Sequence, residues 1–256
     1  MNFKLLLFLS LSLILLWSCQ SDTEDPIDPS VYGHEYFPLE IGKYRVYQVD
    51  SIQFDIGNNN LPETDSSRFY MREEIKEVIA GAEGEEVYRI ERYRTESLDE
   101  PWSIMDVTTE ARGVNQAMRT EGNLRFINLI FPMREGITWD GNLFLPDDII
   151  VFVSGEAIEM YKNWNYEVLS VDQQESVEDL TFSDVATVQQ ANDENEIEFR
   201  WSQEKYAKNV GLIYRERWIL DSYCKYTGDT GPCIGLDWRT KSGRGFIMRE
   251  QIIDHN

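Results

Sequence analysis

Ile197-Glu198-Phe199-Arg200-Trp201 is the stretch in which apolar and charged residues alternate most regularly. Successive residues of a β-strand point to opposite faces of a sheet, so a period of two is typical of a strand. Charged residues at every second position indicate one face in contact with water and one buried face. The stretch therefore predicts a strand of an antiparallel sheet.

The same alternation, in less regular form, recurs along most of the chain. It predicts further strands, rich in β-branched and aromatic residues, at 44–49, 69–79, 86–95, 124–131, 149–153, 164–168, 210–220 and 246–253. Clusters of small and polar residues predict turns at 57–59, 82–84, 193–195 and 241–243. One short helix is predicted at 203–208, with Ser202 as its N-cap.

About ten strands joined by short turns predict an all-β, mostly antiparallel fold. We expect a barrel, a half-barrel or a strongly curved sheet, with at most one or two short helices. The roughly 220 residues that follow the predicted signal and tether are enough for one large β domain or two small ones. We assign residues 34–256 to a single antiparallel β domain.

The start of the chain has the pattern of an export signal. The apolar run at 5–17 is too short to cross a bilayer and has the length of a signal-peptide core. Leu16-Trp17-Ser18-Cys19 resembles the lipobox of bacterial lipoproteins, although Trp17 departs from the small residue that is usual there. The resemblance implies a signal peptide at 1–18 and a lipidated Cys19. The alternative is an ordinary secretory signal with an incidental cysteine.

Residues 19–33 are polar, acidic and interrupted by prolines. Such a segment cannot bury enough apolar surface to fold, so we predict a disordered tether. Acidic residues just after Cys19 also resemble the surface-export signal of lipoproteins of the Bacteroidota. Acyl chains contribute about 0.8 kcal/mol for each buried CH₂, which would hold the protein on a membrane. The predicted location is the bacterial cell envelope, lipid-anchored at the outer membrane and either periplasmic or surface-exposed.

The formal net charge of the chain is −22. An acidic surface repels nucleic acid, whose binding depends on basic contacts to phosphate. It also repels anionic headgroups, so the lipid has to supply the attachment to the membrane. Nucleic acid is therefore excluded as a partner, and an unknown envelope protein, lipid or glycan remains.

Cys224 and Cys233 lie on either side of a turn-rich stretch. An oxidising compartment favours a disulfide between them. Closing so short a loop would contribute roughly 2.7 kcal/mol in the chain-entropy model. Two thiols with no histidine nearby do not make a metal site.

Two longer motifs resemble uncharacterised lipoproteins of the Bacteroidota. The segment 36–47, Tyr-Phe-Pro-Leu-Glu-Ile-Gly-Lys-Tyr-Arg-Val-Tyr, looks like the opening of such proteins. The segment 205–214, Lys-Tyr-Ala-Lys-Asn-Val-Gly-Leu-Ile-Tyr, is similar to a late motif in them, with Asn209 in place of the usual Gly. The resemblance implies a lipocalin-type barrel or the open half-barrel of the lipoprotein carriers LolA and LolB.

Signals for catalysis are missing from the sequence. His34 and His255 are the two histidines, so a Ser-His-Asp set and a His-based zinc site are not expected. No Gly-rich loop has the strand-to-helix context of a phosphate site. Abundant carboxylates leave a glycosidase-type acid pair open. The acidic turns at 147–148 and 193–196 lack the spaced calcium pattern and are read as solvated turns. We predict no cofactor, no metal and no enzymatic activity.

The tryptophans suggest a carbohydrate-binding alternative. Tryptophans outside the most regular strands could stack on sugars if their rings are exposed. These candidates are Trp102, Trp139, Trp164 and Trp238. Trp201 and Trp218 lie in alternating strands, so we predict them to be core residues.

Three functions from different classes follow. The first is a non-enzymatic envelope lipoprotein that binds or scaffolds another envelope component. The second is a carrier that holds a lipophilic ligand in the concavity of its sheet, which requires a large apolar cavity. The third is a glycan-binding or glycan-cleaving surface protein, which requires exposed tryptophans and, for cleavage, a close pair of carboxylates. A tightly filled interior would favour the first.

Overall fold

The computed structural model describes residues 32–57, 62–81, 84–146, 149–153 and 155–256. The predicted signal peptide, the lipidation site Cys19 and the tether as far as residue 31 lie outside the described residues. So do 58–59 and 82–83 of the predicted turns, and the acidic pair 147–148.

The described chain is all-β, as predicted, with strands of up to 19 residues. The strands are β1 Tyr44–Ile56, β2 Pro62–Ala80, β3 Glu86–Thr95, β4 Ser103–Arg112, β5 Gln116–Glu121, β6 Leu124–Ile130, β7 Thr138–Trp139, β8 Val151–Val153, β9 Glu156–Ile158, β10 Tyr166–Val177, β11 Leu180–Glu194, β12 Glu198–Ala207, β13 Gly211–Ser222 and β14 Ser242–His255. The helices are α1 Cys224–Thr227 and α2 Trp238–Lys241. Short 3₁₀ turns lie at His34–Tyr36 and Gly231–Cys233.

Twelve strands form one antiparallel sheet, in the order β6-β5-β4-β3-β2-β1-β14-β13-β12-β11-β10-β7. Of the strands in the described ranges, β8 and β9 stand apart and form a two-stranded sheet of their own. Because sequential strands pair, their connections lie alternately at two ends of the sheet. The N-terminal end holds Tyr32 and the start of β1, and the far end holds the connection 140–165 between β7 and β10.

The two edges of the sheet meet, which makes it a nearly closed barrel. The backbone nitrogen of Ile127 on β6 donates to the carbonyl oxygen of Gly141, just after β7, at 2.9 Å. The indole nitrogen of Trp139 on β7 donates to the carbonyl oxygen of Ile127 at 2.8 Å. These bonds join the first strand of the sheet order to the last, and they decide between the curved sheet and the barrel that the sequence left open.

Both ends of the barrel are covered by apolar side chains. At the N-terminal end Tyr36, Phe37 and Leu39 are buried in a cluster with strand residues such as Ile90 and Leu129. The backbone of Tyr32 already belongs to this end, since its carbonyl accepts from the nitrogen of Met133 at 3.1 Å. The tether was predicted to run to residue 33, so Tyr32 and Gly33 extend the folded domain by two residues.

At the far end the connection 140–165 covers the barrel opening. Its residues Ile158, Met160 and Trp164 form a buried cluster with Ala191 and Ile219 of the barrel strands. We call this connection the cap.

The predicted helix at 203–208 is wrong. Gln203 to Ala207 belong to β12 and pair with β11 and β13. Ser202 is a buried strand residue whose hydroxyl donates to the side-chain oxygen of Gln190 at 2.7 Å. Burial alternates along this stretch, with Glu204 buried between the half-buried Gln203 and Lys205, as expected of a strand. The strands β4, β5, β7, β9 and β11 had no counterpart among the predicted segments.

Candidate functional site

The middle of the barrel contains a layer of ion pairs instead of an apolar cavity. It consists of five arginines and five glutamates, so its formal charge sums to zero. Eight of the ten are buried, and Arg92 and Glu121 are half-buried. The members of this ionic layer are Arg45, Glu73, Arg92, Glu110, Arg119, Glu121, Glu204, Arg215, Arg217 and Glu250.

Arg119 on β5 is the centre of one half of the layer. Its Nη1 lies 2.9 Å from Oε1 of Glu110, and its Nε lies 2.7 Å from Oε1 of Glu121. Its Nη2 contacts the carboxylate of Glu73 on β2. Arg45 on β1 approaches the carboxylates of Glu73 and Glu110 at 3.3 and 3.4 Å.

Arg215 on β13 is the centre of the other half. Its Nε lies 2.6 Å from Oε1 of Glu204, and its Nη1 lies 3.5 Å from Oε2 of Glu250. The same Nη1 reaches Oε1 of Glu121 on β5 at 3.1 Å. Five strands separate β5 from β13 in the sheet order, so this contact crosses the interior of the barrel.

The arginines keep Glu73, Glu121 and Glu204 ionised, because they lower the pKa of each of these carboxyls. Burial alone raises the pKa of Glu73, but the charges of Arg119 and Arg45 outweigh burial and lower that pKa to about 2. For Glu204 burial is again the largest influence, and Arg215 and Arg217 reverse it, so its pKa lies below the usual value. Every glutamate of the layer has an arginine partner, and the guanidinium groups of Arg45 and Arg119 bridge the carboxylates of Glu73 and Glu110.

A polar groove lies at the far end, outside the ionic layer. It has a volume of about 450 Å³ and is formed by residues 140–146, Ile149 and 159–164 of the cap. Its polar lining is Asp140, Asn142, Glu159, Lys162 and Asn163, and its aromatic lining is Tyr161 and Trp164. We call it the far-end groove.

The aromatic wall of the groove is fixed by contacts within the cap and by Arg217 of the barrel. The Trp164 indole nitrogen donates to the carbonyl oxygen of Met160 at 2.8 Å, and the Tyr161 ring meets the Trp164 ring edge-on at 5.1 Å. The guanidinium of Arg217 lies 5.9 Å from the centre of the Trp164 ring. The ionic layer and the groove are therefore in contact through Arg217.

The polar wall is anchored to the barrel by Arg200. Its Nε donates to the carbonyl oxygen of Glu159 at 3.0 Å, and its Nη2 lies 2.6 Å from Asp221. Lys162 lies 3.1 Å from the carboxylate of Glu198 and 3.4 Å from that of Glu159. These contacts fix the groove before any ligand is bound.

The four tryptophans that were candidates for stacking lie in three different places. Trp139 and Trp164 both pack on Tyr166, where Trp139 closes the barrel and Trp164 lines the groove. Trp102 is half-buried beside Val46 on another side of the barrel. Trp238 is buried, and its indole nitrogen donates to Glu194 at 2.7 Å. They form no continuous row, and their role in ligand binding stays a prediction.

The prediction that Trp201 and Trp218 are core residues is wrong. They are half-buried cross-strand neighbours on the outer face, where Arg239 lies 5.1 Å from the centre of the Trp218 ring. The residues on either side of Trp201 point inward instead, since Arg200 is 1% exposed and Ser202 is 0% exposed. The strand was predicted correctly, but its faces are inverted because the barrel interior is ionic.

The remaining site predictions concern cysteines, acidic turns and metals. Cys224 and Cys233 form the predicted disulfide, with Cα atoms 6.3 Å apart. In the acidic turn at 193–196, Asp193 accepts from Asn163 at 2.8 Å. Within the described ranges, no group of three or more His, Cys, Asp or Glu side chains is arranged to hold a metal ion. None of the helices in that part of the chain is long and apolar enough to cross a membrane.

No family model and no curated protein match the chain. Two solved structures are similar to it. One is a candidate exported protein with a YmcC-like fold from Bacteroides fragilis, with 8% identity, a TM-score of 0.39, and 86% of this chain and 98% of that chain covered. The other is a candidate lipoprotein from Parabacteroides distasonis, with 10% identity, a TM-score of 0.35 and the same coverage. At this level of similarity neither carries information about the function of this chain.

Proposed function

We propose that the chain is a lipid-anchored lipoprotein of the bacterial cell envelope that binds or scaffolds another envelope component without catalysing a reaction. The order of apolar run, Ser18 and Cys19 supports the anchor. The observation that carries the binding role is the ionic layer, because it occupies the space in which a carrier would hold its ligand. Binding is therefore assigned to the outer surface of the barrel.

The carrier alternative has less support. A lipophilic ligand inside the barrel would have to displace ion pairs such as Arg215–Glu121, leaving charges unpaired in a poorly hydrated space. Breaking one buried pair in this way costs about 3–5 kcal/mol. A few apolar contacts to a lipid chain do not offset several such losses.

The fold also suggests how the protein faces its membrane. Tyr32 lies at the N-terminal end, and twelve residues separate it from Cys19. Fully extended, such a segment spans at most about 45 Å. The anchor therefore attaches at the N-terminal end, and the far-end groove lies at the opposite end of the barrel.

Lipidation is tested by the intact mass and the membrane fractionation of the protein expressed in its bacterial host. We expect the parent to begin at Cys19, to carry acyl mass and to remain with the membrane, and Cys19→Ala to carry no acyl mass. The double variant Cys224→Ser/Cys233→Ser is the matched control and should keep the acyl mass. A parent without acyl mass refutes the anchor.

Native mass spectrometry of the mature protein, extracted in a mild detergent, tests the binding role separately. A filled barrel should carry no lipid beyond its covalent anchor. A stoichiometric, non-covalent lipid that survives detergent exchange would instead establish the carrier alternative.

A further inference from the structure

We propose that the far-end groove binds a short, uncharged oligosaccharide. This assignment names the ligand class of the proposed envelope-binding protein and rests on that proposed function. It is carried by the groove itself, which combines an aromatic wall with hydrogen-bonding groups of both kinds. The volume of about 450 Å³ falls within the range typical of small-molecule sites.

The lining matches the two surfaces of a sugar ring. A pyranose presents C–H groups that pack on an aromatic or aliphatic wall, here Tyr161 with Leu145 and Ile149. It also presents hydroxyls, which both donate and accept. Carboxylates such as that of Asp140 accept, and the ammonium group of Lys162 donates.

Asn163 is positioned to take part directly. Its side-chain nitrogen donates to Asp193 at 2.8 Å, which orients the amide and leaves its oxygen to accept from a ligand hydroxyl. Its φ of 59° lies in the left-handed region, which asparagine tolerates and glycine adopts freely, so the side chain can be removed without changing the backbone.

The charge of the lining selects against other ligand classes. Asp140 and Glu159 outweigh Lys162, whose ammonium is already shared with Glu159 and Glu198. The described lining therefore has a net charge of −1, which disfavours phosphates, uronates and nucleic acid. The predominance of polar groups likewise disfavours an acyl chain, because the chain would cover polar groups without offering them hydrogen bonds, at a cost in free energy.

The test is a titration of the mature lipoprotein in detergent with neutral trisaccharides, namely maltotriose, cellotriose, mannotriose and triacetylchitotriose. Saturation-transfer NMR detects the contact, and tryptophan fluorescence follows the saturation. Trilysine and trigalacturonate serve as probes of opposite charge. We expect at least one neutral trisaccharide to bind and trigalacturonate not to bind.

Two variants locate the site. Asn163→Gly keeps the left-handed backbone and removes the amide, so we expect about tenfold weaker binding with an unchanged unfolding midpoint. Asn209→Gly is the matched control, because Asn209 has a φ of 65° and lies at the N-terminal end. Tyr161→Ala, checked for folding by circular dichroism, should abolish the saturation-transfer signal.

The alternatives are distinguishable. If no neutral trisaccharide binds at about 10 mM, which would reveal even millimolar Kd values, the oligosaccharide assignment is overturned. Binding of trilysine alone would assign the groove to a basic peptide, and binding unaffected by Asn163→Gly and Tyr161→Ala would place the sugar elsewhere. None of these outcomes affects the acyl mass on Cys19, so the proposed anchor is judged independently.

Discussion

Gly141 and Tyr166 make the contact that lets the barrel close. A Cβ atom added to Gly141 would lie 1.4 Å from Cε2 of Tyr166, a distance that no side chain can occupy. The carbonyl oxygen of the same glycine accepts the hydrogen bond from Ile127 that joins the two edges of the sheet. Tyr166 in turn is fully buried between Trp139 and Trp164. Close approach of a backbone to an aromatic ring therefore determines where the sheet ends meet.

We expect Gly141→Ala to destabilise the protein by about 1–3 kcal/mol or more, because overpacking displaces the ring of Tyr166 or the backbone of Gly141. Either movement strains the hydrogen bond to Ile127. Urea unfolding followed by tryptophan fluorescence measures the loss, and hydrogen exchange at the Ile127 amide reports the opening of the edge directly.

Gly113→Ala is the matched control for this substitution. Its added Cβ would meet only the carbonyl oxygen of Gln116, at an ordinary contact distance of 3.8 Å. We expect its unfolding midpoint to stay close to that of the parent. Equal stabilities of the two alanine variants would show that the barrel edges are not held at Gly141.

Arg119→Met should destabilise the protein by about 3–5 kcal/mol, the usual cost of leaving buried charges without a partner. The substitution preserves much of the side-chain volume but removes the closest arginine partner of Glu73 and Glu110, which are left with the longer contacts to Arg45 at 3.3 and 3.4 Å. Equilibrium unfolding in urea provides the measurement.

Arg68→Met is the control, since the Arg68–Asp50 pair is exposed and solvent screens it. We expect it to leave the unfolding midpoint nearly unchanged. If Arg119→Met lowers the free energy of unfolding no more than Arg68→Met does, the ionic layer contributes little to the stability of this fold.

The sequence could reveal the strands but not which face of each strand is buried. The alternation of 197–201 predicted a strand, and β12 begins at Glu198. A period of two does not say which set of residues faces inward, and the usual assumption places the apolar set inside. Here Glu198 and Arg200 are buried while Trp201 is half-exposed. Charges can be inside because partners from other segments of the chain meet them: Asp221 pairs with Arg200, and Lys162 and Lys225 pair with Glu198. Those partners are not visible in a local pattern.

The same limit applies to the candidate site. Cys224 and Cys233 could be paired from sequence, because a sequence separation of nine and a turn-rich composition bring them together. The far-end groove could not be found in this way, although Trp164 was recognised as a candidate for stacking. Its walls come from the two ends of the cap, at 140–146 and 159–164, whose approach depends on the barrel beneath them.

Stability should decrease as the pH falls from about 5 towards 2. The pKa of Glu73 is about 2 in the folded protein against an ordinary value of 4.5, so the unfolded chain binds this proton first. Protons therefore favour unfolding throughout that window, and the contribution of Glu73 is complete above about pH 5. Glu204 acts in the same direction, since its pKa is also lowered.

Urea unfolding at several pH values tests this dependence. We expect the free energy of unfolding to fall on acidification in the parent and to fall less steeply in Glu73→Gln, which cannot titrate at that position. A parent whose stability does not change between about pH 6 and pH 3 would contradict the assignment of Glu73 as an ionised partner of Arg119.

Loss of the disulfide should affect the far end more than the barrel. Cys224 and Cys233 are nine positions apart, and closing so short a loop contributes roughly 2–3 kcal/mol in the chain-entropy model. Cys224→Ser/Cys233→Ser should therefore lower the free energy of unfolding by about that amount. The loop also carries Lys225 and Tyr226, which both bind Asp221 at 2.7 Å. Asp221 in turn holds Arg200, the residue that anchors the cap.

Hydrogen exchange in the double serine variant separates these effects. We expect faster exchange in α1 and in the cap around Glu159, with the amides of β5 and β13 as protected as in the parent. Reduction of the parent with dithiothreitol should reproduce the pattern, because it breaks the same bond without changing a residue. Uniformly faster exchange through β5 and β13 would show instead that the loop stabilises the barrel as a whole. The contacts of Asp221 would then not act on the cap alone.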